Sequence, residues 1–482
     1  MTEVRRPAAD PAYEPDPRRW RILAVTLVIG FMALLDVTIV NVALPSIREG
    51  VDASAADVQW VVSGYALTFG LTLVAGGRLG DAYGRRRMML IGLGGFIAAS
   101  AAVGLAPTAE LVIVARLVQG VAAGLLTPQN SGLIQQLFRG PERGRAFGFF
   151  GLTVSVSAAL GPILGGVIIA GFGPELGWRM IFLVNVPIGL GAMVFVARMV
   201  PRRPREQQEV GSRLDVPGAL LLGGAVLCVL LPLISAMDGI GPLLGVVALA
   251  PVLFWVFVRW ERRVVGRGGA PLLDVALLRR APGYASGIGV GSLYFTGFTG
   301  VFLVLSVHLQ DGLGLTALAT GLLLTPFAVG SAVTSTPAGR LVSSIGRKVT
   351  VLALLVVLAG LGTVAVVVPG RDVSSLWFLL VPALLLAGLG GGGVVSPNFT
   401  LTLAEVPPRM GGAAGGALQT GQRIGSALGA AMIMAAYQVT VSRTDDADTA
   451  LRAALLTALG ILTVALVLAV RDLRLDGQRD LG

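Results

Sequence analysis

Three charged side chains stand deep where a membrane-crossing chain is otherwise apolar, namely Asp36 within the stretch 21 to 46, Arg116 within 109 to 138 and Arg423 within 411 to 438. A charge inside hydrocarbon costs at least about 2.5 kcal/mol by insertion scales, so it is kept for pairing or for function. A rise of ~1.5 Å per residue puts Asp36 roughly 21 Å from one edge of a ~30 Å layer and Arg116 roughly 10 Å from the other edge. The two share a depth and can pair. A carboxyl that is buried yet beside a guanidinium feels two opposed influences, and small helix movements decide which dominates. Proton uptake and release is the chemistry this offers; a plain structural ion pair is the competing reading. One Cys (Cys228) and one His (His308) leave no material for a disulfide, a zinc site or a catalytic triad. The sequence therefore points away from an enzyme and implies no cofactor and no metal.

The elements that must hold this pair follow from composition. Of 482 residues, 54% are hydrophobic and 13% charged, with mean hydropathy +0.81, more apolar surface than a water-soluble fold can bury. Apolar runs of about 20 residues recur, the length a helix needs to cross hydrocarbon. They are continuous rather than alternating, which excludes barrel strands. Gly, Pro and charge as punctuation predict fourteen spans: 21–46, 57–77, 88–106, 109–138, 145–172, 180–200, 215–236, 241–260, 283–309, 318–341, 350–369, 375–403, 411–438 and 450–470. With the N-terminus inside, thirty basic residues fall in inner segments and five (Arg48, Arg179, Arg371, Arg443, Arg452) in outer ones. That bias puts both termini in the cytoplasm. The net charge of +10 is explained the same way, since the arginines form no single tract for nucleic acid.

The chain repeats itself. Gly77-Arg78-Leu79-Gly80-Asp81-Ala82-Tyr83-Gly84-Arg85-Arg86 returns as Gly339-Arg340-Leu341-Val342-Ser343-Ser344-Ile345-Gly346-Arg347-Lys348, and Thr127-Pro128-Gln129-Asn130 as Ser396-Pro397-Asn398. Repeated halves are how many transporters build two bundles about a central site. The pattern resembles the major facilitator superfamily, and within it the fourteen-span drug:proton antiporters, from about Arg21 to Arg471. Leu35-Asp36-Val37-Thr38-Ile39-Val40-Asn41-Val42-Ala43-Leu44-Pro45 resembles the span-1 motif of those exporters. Gly77 to Arg86 resembles motif A, Arg116-Leu117-Val118-Gln119-Gly120 motif B, and Gly161-Pro162-Ile163-Leu164-Gly165-Gly166 motif C.

The resemblance implies an all-α integral membrane protein: two six-helix bundles (21–200 and 283–470), a linker with two inserted helices (201–282), and short cytoplasmic tails (1–20 and 471–482). No removable signal peptide is expected, because no small-residue cleavage site is visible. It also implies proton-driven export of drugs or natural products across a bacterial plasma membrane, by a monomer, with Asp36 and Arg116 coupling. A lipid-like or other endogenous cargo is the alternative. Gly77, Asp81, Gly84, Arg85 and Arg86 are expected to form a cytoplasmic latch, with Asp81 held by the dipole at the start of span 3. Gly161, Pro162, Gly165 and Gly166 are expected to allow close packing and a bend. Asn41, Gln59, Trp60, Tyr65, Gln129, Asn130, Asn398, Gln419, Gln422 and Arg423 are candidates for the cavity wall. His308 reads as an outer interface residue. No Asp or Glu lies in the spans of the C-terminal half, Glu405 falling just beyond one. Neutral, zwitterionic and anionic cargoes all stay open.

Overall fold

The computed structural model describes residues 15–202, 215–234 and 244–479. The rest of the expected N-terminal tail and of the linker, and the last three residues, lie outside the described residues. Within them the chain is helical throughout: α1 (Arg19–Gly50), α2 (Ala55–Tyr83), α3 (Arg85–Gly104), α4 (Ala109–Leu137), α5 (Gly140–Leu183), α6 (Asn185–Met199), α7 (Val216–Ile234), α8 (Leu244–Gly266), α9 (Leu277–Arg280), α10 (Pro282–Val307), α11 (Ala317–Ile345), α12 (Lys348–Val367), α13 (Val373–Thr402), α14 (Gly411–Thr444) and α15 (Ala447–Arg479). Among the described residues, eleven stretches are long and apolar enough to cross a membrane, and one of them, Gly140–Met199, contains both α5 and α6.

Local signals place the helix ends. Ser54 caps α2 in a reciprocal box with Asp57, and Thr108 and Thr316 cap α4 and α11. Gly84 turns α2 into α3 at φ 96°, and its repeat partner Gly346 turns α11 into α12 at φ 56°. Only glycine takes that region without strain. The sixth span, expected from 180, starts earlier: α5 breaks at Gly173 (φ 78°), Pro174 opens a new helical stretch, and a second break follows at Val184. Residues 471–479, expected to be tail, continue α15, and Asp472 is buried there in an ion pair with Arg347.

Helices α1 to α6 pack on one another, as do α10 to α15, and the halves meet where α2 lies on α14 and α5 on α11. Those seams are made of small residues. A Cβ on Gly77 would overlap the Gly412 carbonyl, and one on Gly144 the Gly339 carbonyl. Such close approach gives helices in lipid the dispersion contact that hydrophobicity cannot supply between them. The α7–α8 pair covers the α2–α14 seam, with Leu230 packed on Leu67 and Phe257 on Val74.

A carboxyl pair clasps that inserted unit. Asp215 accepts from Gly218 N (3.0 Å) and Trp260 Nε1 (2.9 Å), while Glu261, beyond the apolar part of α8, accepts from Leu272 N (3.2 Å). Burial, reinforced by the Asp215 charge, pushes the Glu261 carboxyl up from 4.5 to about 8. A raised carboxyl stabilises the folded clasp fully below pH 4.5, and that contribution is lost as pH rises through 8. Hydrogen exchange in the segment around Leu272 should therefore quicken between these limits in the native protein. Glu261→Gln should remove the pH dependence; an unchanged profile in that variant would refute the assignment.

Candidate functional site

Asp36 is 1% exposed and lies inside the N-terminal bundle. Its Oδ2 forms an ion pair with Arg116 Nη1, while Oδ1 accepts from Gln119 Nε2 (3.0 Å) and Asn185 Nδ2 (3.1 Å). The guanidinium is held in turn: Nε donates to the Val61 carbonyl (3.0 Å) and Nη1 to Gln119 Oε1 (2.8 Å). Gln119 Nε2 also donates to Ser100 Oγ (2.8 Å). The Tyr65 ring lies 4.1 Å and the Phe182 ring 5.5 Å from the Arg116 Cζ, so the cation is covered by π faces. Both carboxylate oxygens and the Nε and Nη1 donors of the pair are thus bonded, which offsets much of the cost of burying the two charges.

The expected depth match is thus realised as contact. Asn185 and Ser100 were not among the candidates; the available signal was an isolated polar residue in each apolar run, and nothing in spacing says which of these face Asp36. The helix-5 glycines lie behind the same site. Gly161 packs on Thr38 and Gly165 on Ile39, so α5 backs the turn of α1 that carries Asp36, while Gly166 faces open space and Pro162 lies within the helix.

The latch residues hold the arginine-rich end, where α2 turns into α3. Asp81 accepts from Arg85 Nη2 (2.9 Å), Gly412 N (3.1 Å) and Ala413 N (2.8 Å). Two of these donors belong to the N-terminus of α14 in the other half, whose dipole also favours the carboxylate, a partner the expectation of an α3 dipole did not include. Arg85 continues the link, donating to the Pro408 carbonyl (2.6 Å) and to Gln136 Oε1 (2.6 Å), and Arg86 donates to the Ala197 carbonyl. Gln135 Nε2 donates to the Leu403 carbonyl (2.6 Å). This end of the interface between halves is closed.

Above that closure lies a cavity of about 150 Å³ between the halves. Gln419, Gln422, Arg423 and Ser426 line it on α14; Val37 and Thr38 face them from α1; Phe150, Phe295 and Phe399 complete the aromatic wall. Other candidates are placed elsewhere. Gln129 donates to the Gly76 carbonyl (2.9 Å) and Asn398 to the Gly287 carbonyl (3.0 Å), each joining two helices of its own half. Asn130 is buried against Gly30, and Tyr65 donates to the Ala33 carbonyl (3.0 Å). Asn41 and Trp60 are exposed and Gln59 half-buried, none at the cavity wall. His308 is not an interface residue: it is 1% exposed, with Nε2 3.5 Å from Asp448 Oδ1.

The repeated halves, the polar pair in the first bundle and the cavity between them define a two-bundle membrane transporter. The family model of the Major Facilitator Superfamily matches residues 26–430 and again 287–478. The chain belongs to that superfamily, and it is a multi-pass transport protein rather than an enzyme. It is 36% identical over 446 residues to the probable actinorhodin transporter of Streptomyces coelicolor, covering 90% of this chain and 76% of that one. It is 37% identical over 424 residues to the puromycin resistance protein pur8 of Streptomyces alboniger, covering 87% and 82%. The fold is similar to that of the human organic anion transporter MFSD10, with TM-score 0.70 and 18% identity over 94% of this chain and all of that one.

The ion pair makes an asymmetric prediction. Asp36→Ala strands a guanidinium that cannot discard its charge, and should destabilise the protein by about 3–5 kcal/mol. Arg116→Ala strands a carboxylate that can take up a proton, so it should cost less, and less still at low pH. Thermal unfolding in detergent across pH checks both; equal losses at every pH would contradict the pairing.

Proposed function

We propose that this protein is a proton-coupled antiporter that exports drugs or natural products across the bacterial plasma membrane by alternating access, with fourteen spans and both termini in the cytoplasm. The observation that carries the reading is Asp36: a wholly buried carboxylate whose counter-charge and amide partners come from other helices, so its environment changes when they move. The similarity to antibiotic transport and resistance proteins supports the direction of transport. The inner excess of arginine supports the orientation.

On this reading the closed arginine-rich end is the cytoplasmic gate, and the molecule is in its outward-facing arrangement. A proton arriving from outside neutralises Asp36, which frees Arg116 and lets α1 move relative to α4 and α6. The glycine seam between α1 and α5 permits that movement, and the bonds from Asp81 and Arg85 to the start of α14 then break to open the inner gate. Return of Asp36 to its ion pair releases the proton inward. Each proton moved down the membrane potential supplies about 2.3 kcal/mol per 100 mV, to which a pH gradient adds.

In proteoliposomes under an imposed pH gradient, Asp36→Asn should lose uphill efflux altogether while still binding cargo and eluting as a folded protein. Wild-type efflux from this variant would exclude Asp36 as the protonation site.

A further inference from the structure

The cavity carries information about cargo charge that the spacing of residues does not. Among the described residues its wall contains no Asp or Glu, and its single ionised group is Arg423. That guanidinium lies 4.6 Å from the centre of the Phe69 ring and makes no ion pair among the described residues. The contrast with Arg116 is direct: one arginine of the membrane core is neutralised by a carboxylate, the other is left positive beside the space that receives cargo. Beside it, Gln419 is 7% exposed, and its Nε2 is buried with no hydrogen-bond partner. An unused N–H donor in a membrane interior costs free energy unless something arrives to accept from it.

A guanidinium with no ion pair among the described residues and an unused amide N–H thus stand on one helix, α14, and three phenylalanines line the same cavity. Phe399 lies 5.1 Å from Phe150, edge to face, and Phe295 completes the apolar surface. A void of about 150 Å³ lined this way suits an aromatic ring, since an apolar void of that size admits benzene. We propose that the cargo is an aromatic organic monoanion, bound with its acidic group at Arg423 and Gln419 and its ring between Phe150, Phe295 and Phe399. A guanidinium recognises a planar or tetrahedral oxyanion through two parallel N–H bonds, and a cation placed here would meet an uncompensated positive charge. This inference rests on the transport reading above and narrows its substrate class.

The test uses three ligands of one shape, benzene sulfonate, benzene sulfonamide and phenyl trimethylammonium, which are anionic, neutral and cationic. Binding to the purified full chain should favour the sulfonate by about tenfold, the difference between a charge-assisted and a neutral hydrogen bond. Arg423→Gln should weaken sulfonate binding far more than sulfonamide binding and so remove that preference, and Arg423→Lys should retain a preference for the anion. Equal or weaker binding of the sulfonate, or none of the three binding, overturns the proposal, as does a sulfonate preference that survives in a folded Arg423→Gln variant. If that variant does not fold, the ranking of the three ligands on the wild type and on Arg423→Lys decides alone. Transport separates the two levels of inference: a pH gradient that drives no efflux of any probe the wild type binds counts against the antiporter, whereas gradient-driven efflux blind to cargo charge counts against the anion alone.

Discussion

The ion pair between Asp36 and Arg116 constrains the N-terminal bundle more than any other contact. Taking two ions out of water costs several kcal/mol each, and their attraction repays it only if every remaining polar atom is also satisfied. Here that requirement recruits a carbonyl from α2, a hydroxyl from α3, an amide from α4 and another from α6. Five helices are tied to one point. The remaining helix of the bundle, α5, reaches the same point by a different route, with Gly161 and Gly165 letting its backbone close on the turn after Asp36. A site tied to this many helices is rigid while its bonds hold, and in the proposed cycle it is the element whose breaking couples the helices.

The latch at the arginine-rich end obeys the same rule with weaker parts. Asp81 accepts from an arginine and from two backbone N–H groups that belong to the other half of the molecule. The second copy of the motif carries Ser343 where the first has Asp81, and Ser343 Oγ only donates back to the Arg340 carbonyl. The α5–α11 seam closes without an anion, through glycine contacts and a hydrogen bond between Ser155 and Ser331 (2.7 Å). The two seams therefore differ in strength by construction. One depends on charge, the other on shape.

What was legible in the sequence was what hydrophobicity and residue identity determine locally. Helical spans, the repeat, the turns at Gly84 and Gly346 and the shared depth of Asp36 and Arg116 all follow from the chain's own period and from the cost of charge in lipid. What was not legible was contact between helices distant in sequence. That Asp81 reaches α14, that Asn185 completes the Asp36 shell, and that His308 faces Asp448 each depend on the rotation of one helix about its axis relative to another. Glycine-rich helices have weakly defined apolar faces, so sequence does not set that rotation. The same ambiguity put Gln129, Asn130 and Asn398 on the list of cavity candidates, although they serve packing within each half; the repeat they form reflects a shared architecture rather than a shared ligand.

The separation between the ion pair and the cavity decides how coupling can operate. Neither Asp36 nor Arg116 lines the cavity, and Arg423 makes no ion pair among the described residues. Direct competition of proton and cargo for one carboxylate is therefore not available in this arrangement. The link is α1 itself: Asp36 faces α4 and α6, while its neighbours Leu34, Val37 and Thr38 form part of the cavity wall. Successive helical residues point about 100° apart, so a small rotation of α1 moves both faces together. In the proposed cycle a change of charge on one face is read as a change of shape on the other. The seam of Gly161 and Gly165 against Thr38 and Ile39 matters because it presents little side-chain bulk to resist that rotation.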